Sequence, residues 1–471
     1  MNVTSQQRAG TISMPDELMR FIQRDTYSLL IKGYAGTGKT TLALTILRAL
    51  RSRDNFFYIS TRISPRQLFE YYPWLSTFVE QSPKPLEPAE ASDRVMLPTF
   101  EDARLDEPES LFERITNQLM DIKSPIIIID SWDAIASFMD KEARLNNERV
   151  LQTWRERAGA KVIFISEHPD DTTLDFLVDG IVELKQSYYD NVRVREIVML
   201  KLRGIRIDRP IYIYTLENSA FRSFAPYRPL KPQSEPGKKS ISRERSTKLI
   251  ASEYIVTGFG VLDKALGGGF PKKGVVLLEL DSHVSTAVAM TFLRGLISDF
   301  ISNGHPVLFQ PFDWVDPASV MNYLQPLPES RKSLFKILWP SNVSGLKNIV
   351  MVPSQKRSPA FESVTRMKHK HPGKLLLNIM GTDMIRKSYP SPKDFMNQME
   401  ELMSAARAGD LSIVVVSRSQ REMLEFLSEV SDIHLRLLMI NDTLFVKPLV
   451  PASTLYAIEF HDGEIGLQPI V

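Results

Sequence analysis

The stretch Gly33-Tyr34-Ala35-Gly36-Thr37-Gly38-Lys39-Thr40 decides how the first half of this 471-residue chain is read. Its spacing is G-x-x-x-x-G-K-[ST]. Glycines at the fixed positions let backbone N–H groups curl around phosphate oxygens without Cβ clashes. The stretch follows an apolar run, residues 27–32, and opens a helical pattern over residues 39–50. A helix N-terminus favours an anion, so loop and helix point their donors at one place. There Lys39 is placed to reach the β- and γ-phosphates of a nucleoside triphosphate, and the Thr40 hydroxyl to ligate Mg²⁺. Thr41 follows on the same first helical turn and joins the binding set.

Working outward, Ile126-Ile127-Ile128-Ile129-Asp130 reads as a buried strand ending in a carboxylate. Such a carboxylate belongs beside the metal, so Asp130 is the second expected Mg²⁺ ligand. Apolar runs at residues 56–60 and 161–166 alternate with helical patterns, including one over residues 142–157. Alternation of this kind, with continuous apolar strands, implies an α/β fold whose parallel-rich central sheet is flanked by helices.

Composition bounds the rest. Hydrophobic residues make up 43% and charged residues 24%, as in ordinary globular proteins. A formal net charge of +2 gives no argument for nucleic acid from the total. With no cysteine, disulfides, thiolate metal sites and cysteine nucleophiles are excluded. The amino terminus has no apolar signal-like segment and no run approaches a bilayer span, so a cytoplasmic protein without membrane contact is expected.

Three segments stand apart. Residues 80–109 form a Pro- and acid-rich insert, read as a surface loop or as a lid or docking segment. Residues 222–250 are a basic, Pro-rich linker: a solubilising spacer, or a contact for nucleic acid or an acidic partner. Beyond it, apolar runs at 275–278, 307–309, 375–377 and 413–416 repeat the first architecture. The expected organisation is a nucleotide-binding domain over 1–221, the linker over 222–250, and a second domain over 251–471.

These residues resemble the RecA-type P-loop ATPases, and within them the KaiC-like group common in archaea. The resemblance implies two RecA-like domains, ATP and Mg²⁺ as ligands, and a K-x-R-G signature, matched by Lys201-Leu202-Arg203-Gly204. In KaiC-like rings such cations reach a neighbouring subunit's γ-phosphate, so Lys201 and Arg203 are candidate catalytic fingers supplied in trans. Taken alone, the four residues also read as an exposed charged strand.

Two departures matter. Thr257–Pro271 looks like the approach to a second P-loop, but Asp281-Ser282-His283-Val284-Ser285-Thr286 follows, without glycines and with Thr286 where lysine belongs. The companion strand toward Gly381 has no terminal carboxylate, and Lys447-Pro448 stands roughly where K-x-R-G would fall. The second domain is therefore expected to keep the fold and lack the site. In the first domain, paired glutamates expected after the second strand are replaced by Arg62 and Ile63. An arginine cannot serve as a general base. Arg62 is a candidate contact for the γ-phosphate, and Glu167 the nearest substitute carboxylate. Lys39, Glu167, Lys201 and Arg203 form the candidate catalytic set.

An intact first site, a degenerate second half and a basic linker resemble the GvpD gas-vesicle regulator family. That resemblance implies a regulatory ATP-binding protein acting through a protein partner. The lost glutamates lead to the expectation of a weak ATPase at most, and the finger reading to self-association. The alternative is a DNA-stimulated RecA-like ATPase. A KaiC-type autokinase would need a second active site that the sequence lacks.

Overall fold

The computed structural model describes residues 13–51, 55–80, 99–104, 108–119, 124–139, 150, 153–156, 158–228, 250–251, 253–312, 316–323, 329–339, 348–351, 359–383, 386, 391–461 and 464–471. Most of the acidic insert, most of the linker and most of the helix expected over residues 142–157 lie outside them. Contacts divide the chain into two compact units, Met1–Ala225 with Ile470–Val471, and Pro226–Pro469.

The first unit is built on nine strands: β1 (Tyr27–Gly33), β2 (Phe56–Ser60), β3 (Thr99–Asp102), β4 (Ile126–Asp130), β5 (Lys161–Ser166), β6 (Gly180–Tyr189), β7 (Val192–Leu202), β8 (Ile211–Thr215) and β9 (Arg222–Ser223). Their order across the sheet is β3-β2-β4-β5-β1-β6-β7-β8-β9. The first six pair in parallel. The β6–β7 and β7–β8 pairs are antiparallel. All seven residues of β1 are buried, as a strand covered on both faces requires. One face packs on the helix Lys39–Ala49, with Leu29, Ile31, Leu42 and Ile46 in one cluster. The other carries Leu30, Ile127, Ile129 and Phe164 with Trp132 and Trp154. Strand β3 falls inside the segment read as a loop. Four residues, two of them acidic, give too short and too polar a pattern to stand out, and pairing with Phe57–Ser60 is what makes them a strand.

The second unit begins with a small sheet of β10 (Ile250–Ala251), β11 (Tyr254–Ile255) and β12 (Phe270–Pro271). Its main sheet has ten strands: β13 (Gly274–Leu280), β14 (Val307–Gln310), β15 (Phe335–Trp339), β16 (Ile349–Met351), β17 (Leu377–Gly381), β18 (Leu411–Ser417), β19 (Ile433–Ile440), β20 (Thr443–Val450), β21 (Tyr456–His461) and β22 (Glu464–Pro469). They lie in the order β16-β15-β14-β17-β18-β13-β19-β20-β21-β22. Apart from the additional edge strand β16, this is the order of the first sheet. The strand expected at 375–377 starts two residues later, because Leu375 and Leu376 precede the ladder that begins at Leu377.

The two ladders also share their register. Gly33 ends β1 six residues before the helix Lys39–Ala49, and Leu280 ends β13 six residues before the helix Thr286–Ser302. Aligned so, Ile31 pairs with Ile165 and Val182 as Leu278 pairs with Val415 and Leu435. The register even shifts at the same place, between Ile181 and Val182 in one ladder and between His434 and Leu435 in the other. Leu200 and Leu449 are the residues passed over.

Candidate functional site

The glycine loop leaves β1 at its C-terminal end, where open parallel sheets carry their ligands. Gly38 holds φ +93° as the N-cap of the helix Lys39–Ala49, and a Cβ there would lie 2.6 Å from Leu216 Cδ1. Gly36, at φ +79°, has open space on its Cβ side. The loop is braced from within and from β8. Thr37 Oγ1 donates to the Tyr34 carbonyl at 2.8 Å, and the Tyr214 hydroxyl donates to the Thr37 carbonyl at 2.5 Å. Lys39 Nζ donates to the same Tyr34 carbonyl at 2.9 Å, folded back across its own loop. Its ammonium is pushed below its ordinary pKa by burial, with Glu167 and Asp130 opposing that shift and Arg62 adding to it. The Tyr34 ring is exposed, with its hydroxyl donating to Asp170 at 3.3 Å.

Asp130 ends β4, which β5 separates from β1, and its Oδ2 accepts from Thr40 Oγ1 at 2.6 Å. The two expected metal ligands therefore converge, and both offer the hard oxygens that Mg²⁺ takes. The donor set fits the ion. A third group was not foreseen: the Tyr58 hydroxyl donates to the same Asp130 oxygen at 2.5 Å. Burial, then the neighbouring Asp130, hold that phenol well above its ordinary pKa, so it keeps the proton it donates to Asp130. The signal was in the sequence, since Tyr58 lies two residues before the end of β2 and so faces the helix side with Phe56. Thr41 Oγ1 and the Tyr72 hydroxyl share a hydrogen bond of 2.9 Å. Thr41 thus faces the helix pair Pro65–Tyr71 and Pro73–Glu80.

Arg62 and Glu167, far apart in sequence, meet in an ion pair of 2.5 Å. Arg62 is half exposed, and Glu167 is the more sheltered at 22%. Ser64 caps the helix that follows Arg62, with a reciprocal bond between Ser64 and Gln67. Asp133 fixes Glu167 from below: its carboxylate accepts the Glu167 N–H at 2.5 Å and the Ser166 hydroxyl at 3.0 Å. Asp133 was also missed, although it follows Asp130 by three residues. The substitute carboxylate and the residue that displaced the usual one are therefore bound to each other.

Lys201 and Arg203 lie elsewhere. Lys201 Nζ donates to the carbonyls of Asp175 and Val178 at 2.8 and 2.7 Å. Arg203 pairs with Asp179 at 3.0 Å, and Asp179 also takes Arg155 at 2.8 Å and the Ser28 hydroxyl at 3.1 Å. Ser28 is five residues before Gly33 along β1, roughly 16 Å at the rise of a strand. Arg203 thus sits near the end of β1 opposite the loop, while Lys201, whose strand partner Ile181 pairs with Leu30, lies level with the middle of β1.

The shared register shows what the second unit has in place of each group. Thr286 stands for Lys39, Gly381 for Asp130, Ser417 for Glu167 and Phe309 for Tyr58. A Cβ at Gly381 would lie 2.3 Å from Phe312 Cα, so backbone occupies the place of a side chain there. Val284 is buried in the core where the first loop has Thr37. The position of Lys201 is Val450, facing His434 as Lys201 faces Ile181. The sequence reading put Lys447-Pro448 there. Lys447 falls three residues short of that position and instead pairs with Arg436. Arg436 and His434 bracket buried Glu279, at 2.9 and 3.0 Å.

The first part of the chain is similar to known proteins. Residues 18–203 match the GvpD gas vesicle protein P-loop domain, a span from the first helix to Arg203. Protein GvpD2 of Halobacterium salinarum is 27% identical over 325 residues, 64% of this chain and 62% of that protein. Protein GvpD1 of the same organism is 28% identical over 320 residues, 64% of this chain and 57% of its own length. The circadian clock oscillator protein KaiC of Parathermosynechococcus lividus is 24% identical over 297 residues, 58% of this chain and 49% of KaiC. The chain thus spans about three-fifths of the GvpD proteins it matches. Among the described residues no helix is long and apolar enough to cross a membrane. With a complete phosphate loop, a carboxylate ending a strand two places along the sheet and a second sheet of the same order, the chain is similar to the KaiC-like, RecA-type P-loop ATPases, and residues 18–203 of its first unit match the GvpD P-loop domain.

Proposed function

We propose that the first unit is an ATP–Mg²⁺ switch that hydrolyses slowly or not at all and reports its occupancy to a protein partner or a second copy of the chain. The observation that carries this reading is the Arg62–Glu167 ion pair of 2.5 Å. Hydrolysis needs a carboxylate free to orient and deprotonate water. Glu167, engaged by a guanidinium and anchored by Asp133, is a poor base. Binding needs none of this. The loop N–H groups receive phosphate oxygens, and Lys39 exchanges the Tyr34 carbonyl for the β- and γ-phosphates. Thr40 and Asp130 would hold Mg²⁺, which supplies charge neutralisation across those phosphates. Arg62, half exposed at the mouth, then has two competing anions, Glu167 and the γ-phosphate. Its transfer from one to the other moves the start of the helix Pro65–Tyr71, whose other end is tied to Thr41 through Tyr72. This is the surface a partner would read.

Arg203, too far along β1 to serve its own loop, and Lys201, engaged by the Asp175 and Val178 carbonyls, would act only on a neighbour's. Self-association that strengthens with ATP–Mg²⁺ is therefore part of the proposal. A monomer by light scattering in both conditions removes the finger role and leaves the switch intact.

The test measures ATP binding and turnover on one sample. Micromolar binding with turnover well below about 1 s⁻¹ supports the switch, whereas turnover in the ordinary enzyme range, above roughly 1 s⁻¹, overturns it.

A further inference from the structure

We propose that the N-terminal edge of the second unit's main sheet binds the phosphate backbone of nucleic acid. This is independent of the nucleotide site, and lies in a different region from the basic linker.

Three connections converge at this edge. Val307 pairs with both Phe335 and Leu377, so β14, β15 and β17 start side by side. The segments entering them carry His305, Arg331, Lys332, Lys370 and Lys374, and Lys336 is the second residue of β15. Residues 363–381 contain no aspartate or glutamate, yet Arg366, Lys368, Lys370 and Lys374 fall within nine positions of them, with His369 and His371 between. The grouping is spatial as well. Lys374 Nζ lies 3.9 Å from the Cβ position of Gly304, beside His305, whose Nδ1 accepts the Leu375 N–H at 3.1 Å.

Part of this charge has an ordinary explanation. Lys368, His369 and Lys370 occupy the last turn of the helix Pro359–Lys370, where cations complement the helix dipole, and Lys368 pairs with buried Asp410 at 2.8 Å. Lys336, Lys374 and His305 lie on other elements, and the dipole does not account for them. They also sit against like charge. Burial, then Lys370, push the Lys336 ammonium below its ordinary pKa, and burial, then Lys374, do the same to His305. Cations brought together from separate segments, at a cost to their own charged forms, are relieved by a polyanion laid across them.

The chemistry of the edge selects the polyanion. A protein interface is centred on buried apolar and aromatic side chains. Among the described residues, the large apolar side chains that stand exposed in this unit are Tyr254, Val261 and Val450, none of them in these connections. Phosphodiester contacts require cations on exposed polar surface and no apolar centre.

The test uses the full chain and a fluorescein-labelled random-sequence DNA duplex, titrated by anisotropy at several NaCl concentrations. Binding at about 50 mM salt is expected, with log K falling linearly in log salt. Lys370→Gln with Lys374→Gln should reduce the slope by about 2, near 0.9 for each lost phosphate contact, and weaken binding at least about tenfold at low salt. Arg366→Gln with Lys370→Gln provides a second pair should the first fold poorly, and thermal melts report folding for both. Arg243→Gln with Arg245→Gln in the linker should keep the wild-type slope. Absence of binding at about 50 mM salt, a slope unchanged by folded variants of this edge, loss carried by the linker pair instead, or displacement by polyglutamate as effective as by unlabelled duplex would each overturn the proposal.

Discussion

At one equivalent point in the two sheets the first unit has Asp130 and the second has Gly381. Asp130 meets Thr40 and Tyr58, while Gly381 meets the backbone of Phe312. The difference teaches that the second site is not a weakened copy. A weakened site keeps its space and loses contacts. Here the space itself has been filled, by Phe312 in place of the metal side and by Val284 in place of the loop hydroxyl. Buried charge has moved as well. Lys32 of β1 pairs with Asp175 at 2.6 Å, and its counterpart Glu279 pairs with Arg436 and His434. The two sheets hold opposite charges at one position, each solved by its own partners.

That contrast can be broken or sharpened. The largest effect is expected from Lys39→Ala, which removes a buried cation from the triphosphate and should cost about 2–5 kcal/mol of ATP affinity by calorimetry, roughly thirty- to several-thousandfold. Unchanged affinity, or ATP held as tightly by a chain lacking Lys39, would place binding in the second unit and end the asymmetry.

Next is Glu279→Gln, which leaves Arg436 buried without its carboxylate and should lower stability by about 3 kcal/mol in denaturant melts at neutral pH. Burial raises the Glu279 pKa, but hydrogen bonds from His434 and Arg436 outweigh it and hold the group below its ordinary 4.5. A carboxylate depressed in the folded state stabilises above its unfolded pKa and loses that contribution as pH falls through the folded value. The deficit of the variant should therefore shrink on acidification below about pH 4.5. A constant deficit would assign Glu279 a packing role alone.

Gly381→Ala should cost about 1–3 kcal/mol through the contact with Phe312, a fall of several degrees in Tm. A neutral result would mean that the space can reopen, and the second unit would again be a fair place to look for a ligand. The smallest energetic change is expected from Arg62→Glu. It frees Glu167, adds a carboxylate at the mouth, and should raise ATP turnover about tenfold, roughly 1.4 kcal/mol of barrier and below the roughly hundredfold low end for a well-positioned base. No rise would show that Arg62 does not hold the site back.

What was legible in the sequence was local. The phosphate loop is eight consecutive residues whose geometry follows from glycine, lysine and a helix start, and the β4 carboxylate ends an unbroken apolar run. The two-sheet architecture was legible for a similar reason, since strand-length apolar runs recur after the linker. What was hidden depended on pairing between distant segments. No pattern near Arg62 indicates that Glu167 will meet it, because the contact arises only where β2 and β5 end on one side of the sheet. Tyr58 and Asp133 were passed over because each looks like an ordinary strand or helix residue until β4 brings it to Asp130 or Glu167. The Lys447 assignment fell three residues short of Val450, with the passed-over Leu449 between them, which the chain does not reveal until β19 and β20 are paired.

That extra residue has a consequence of its own. Leu200 and Leu449 step out of their ladders at matching places, yet one lies beside a signature of cations and the other beside valine and proline. Bulges of this kind are inherited with a framework and are not needed for any chemistry at the second position. Their coincidence shows that the two halves share one framework down to this irregularity, while the side chains set on it differ.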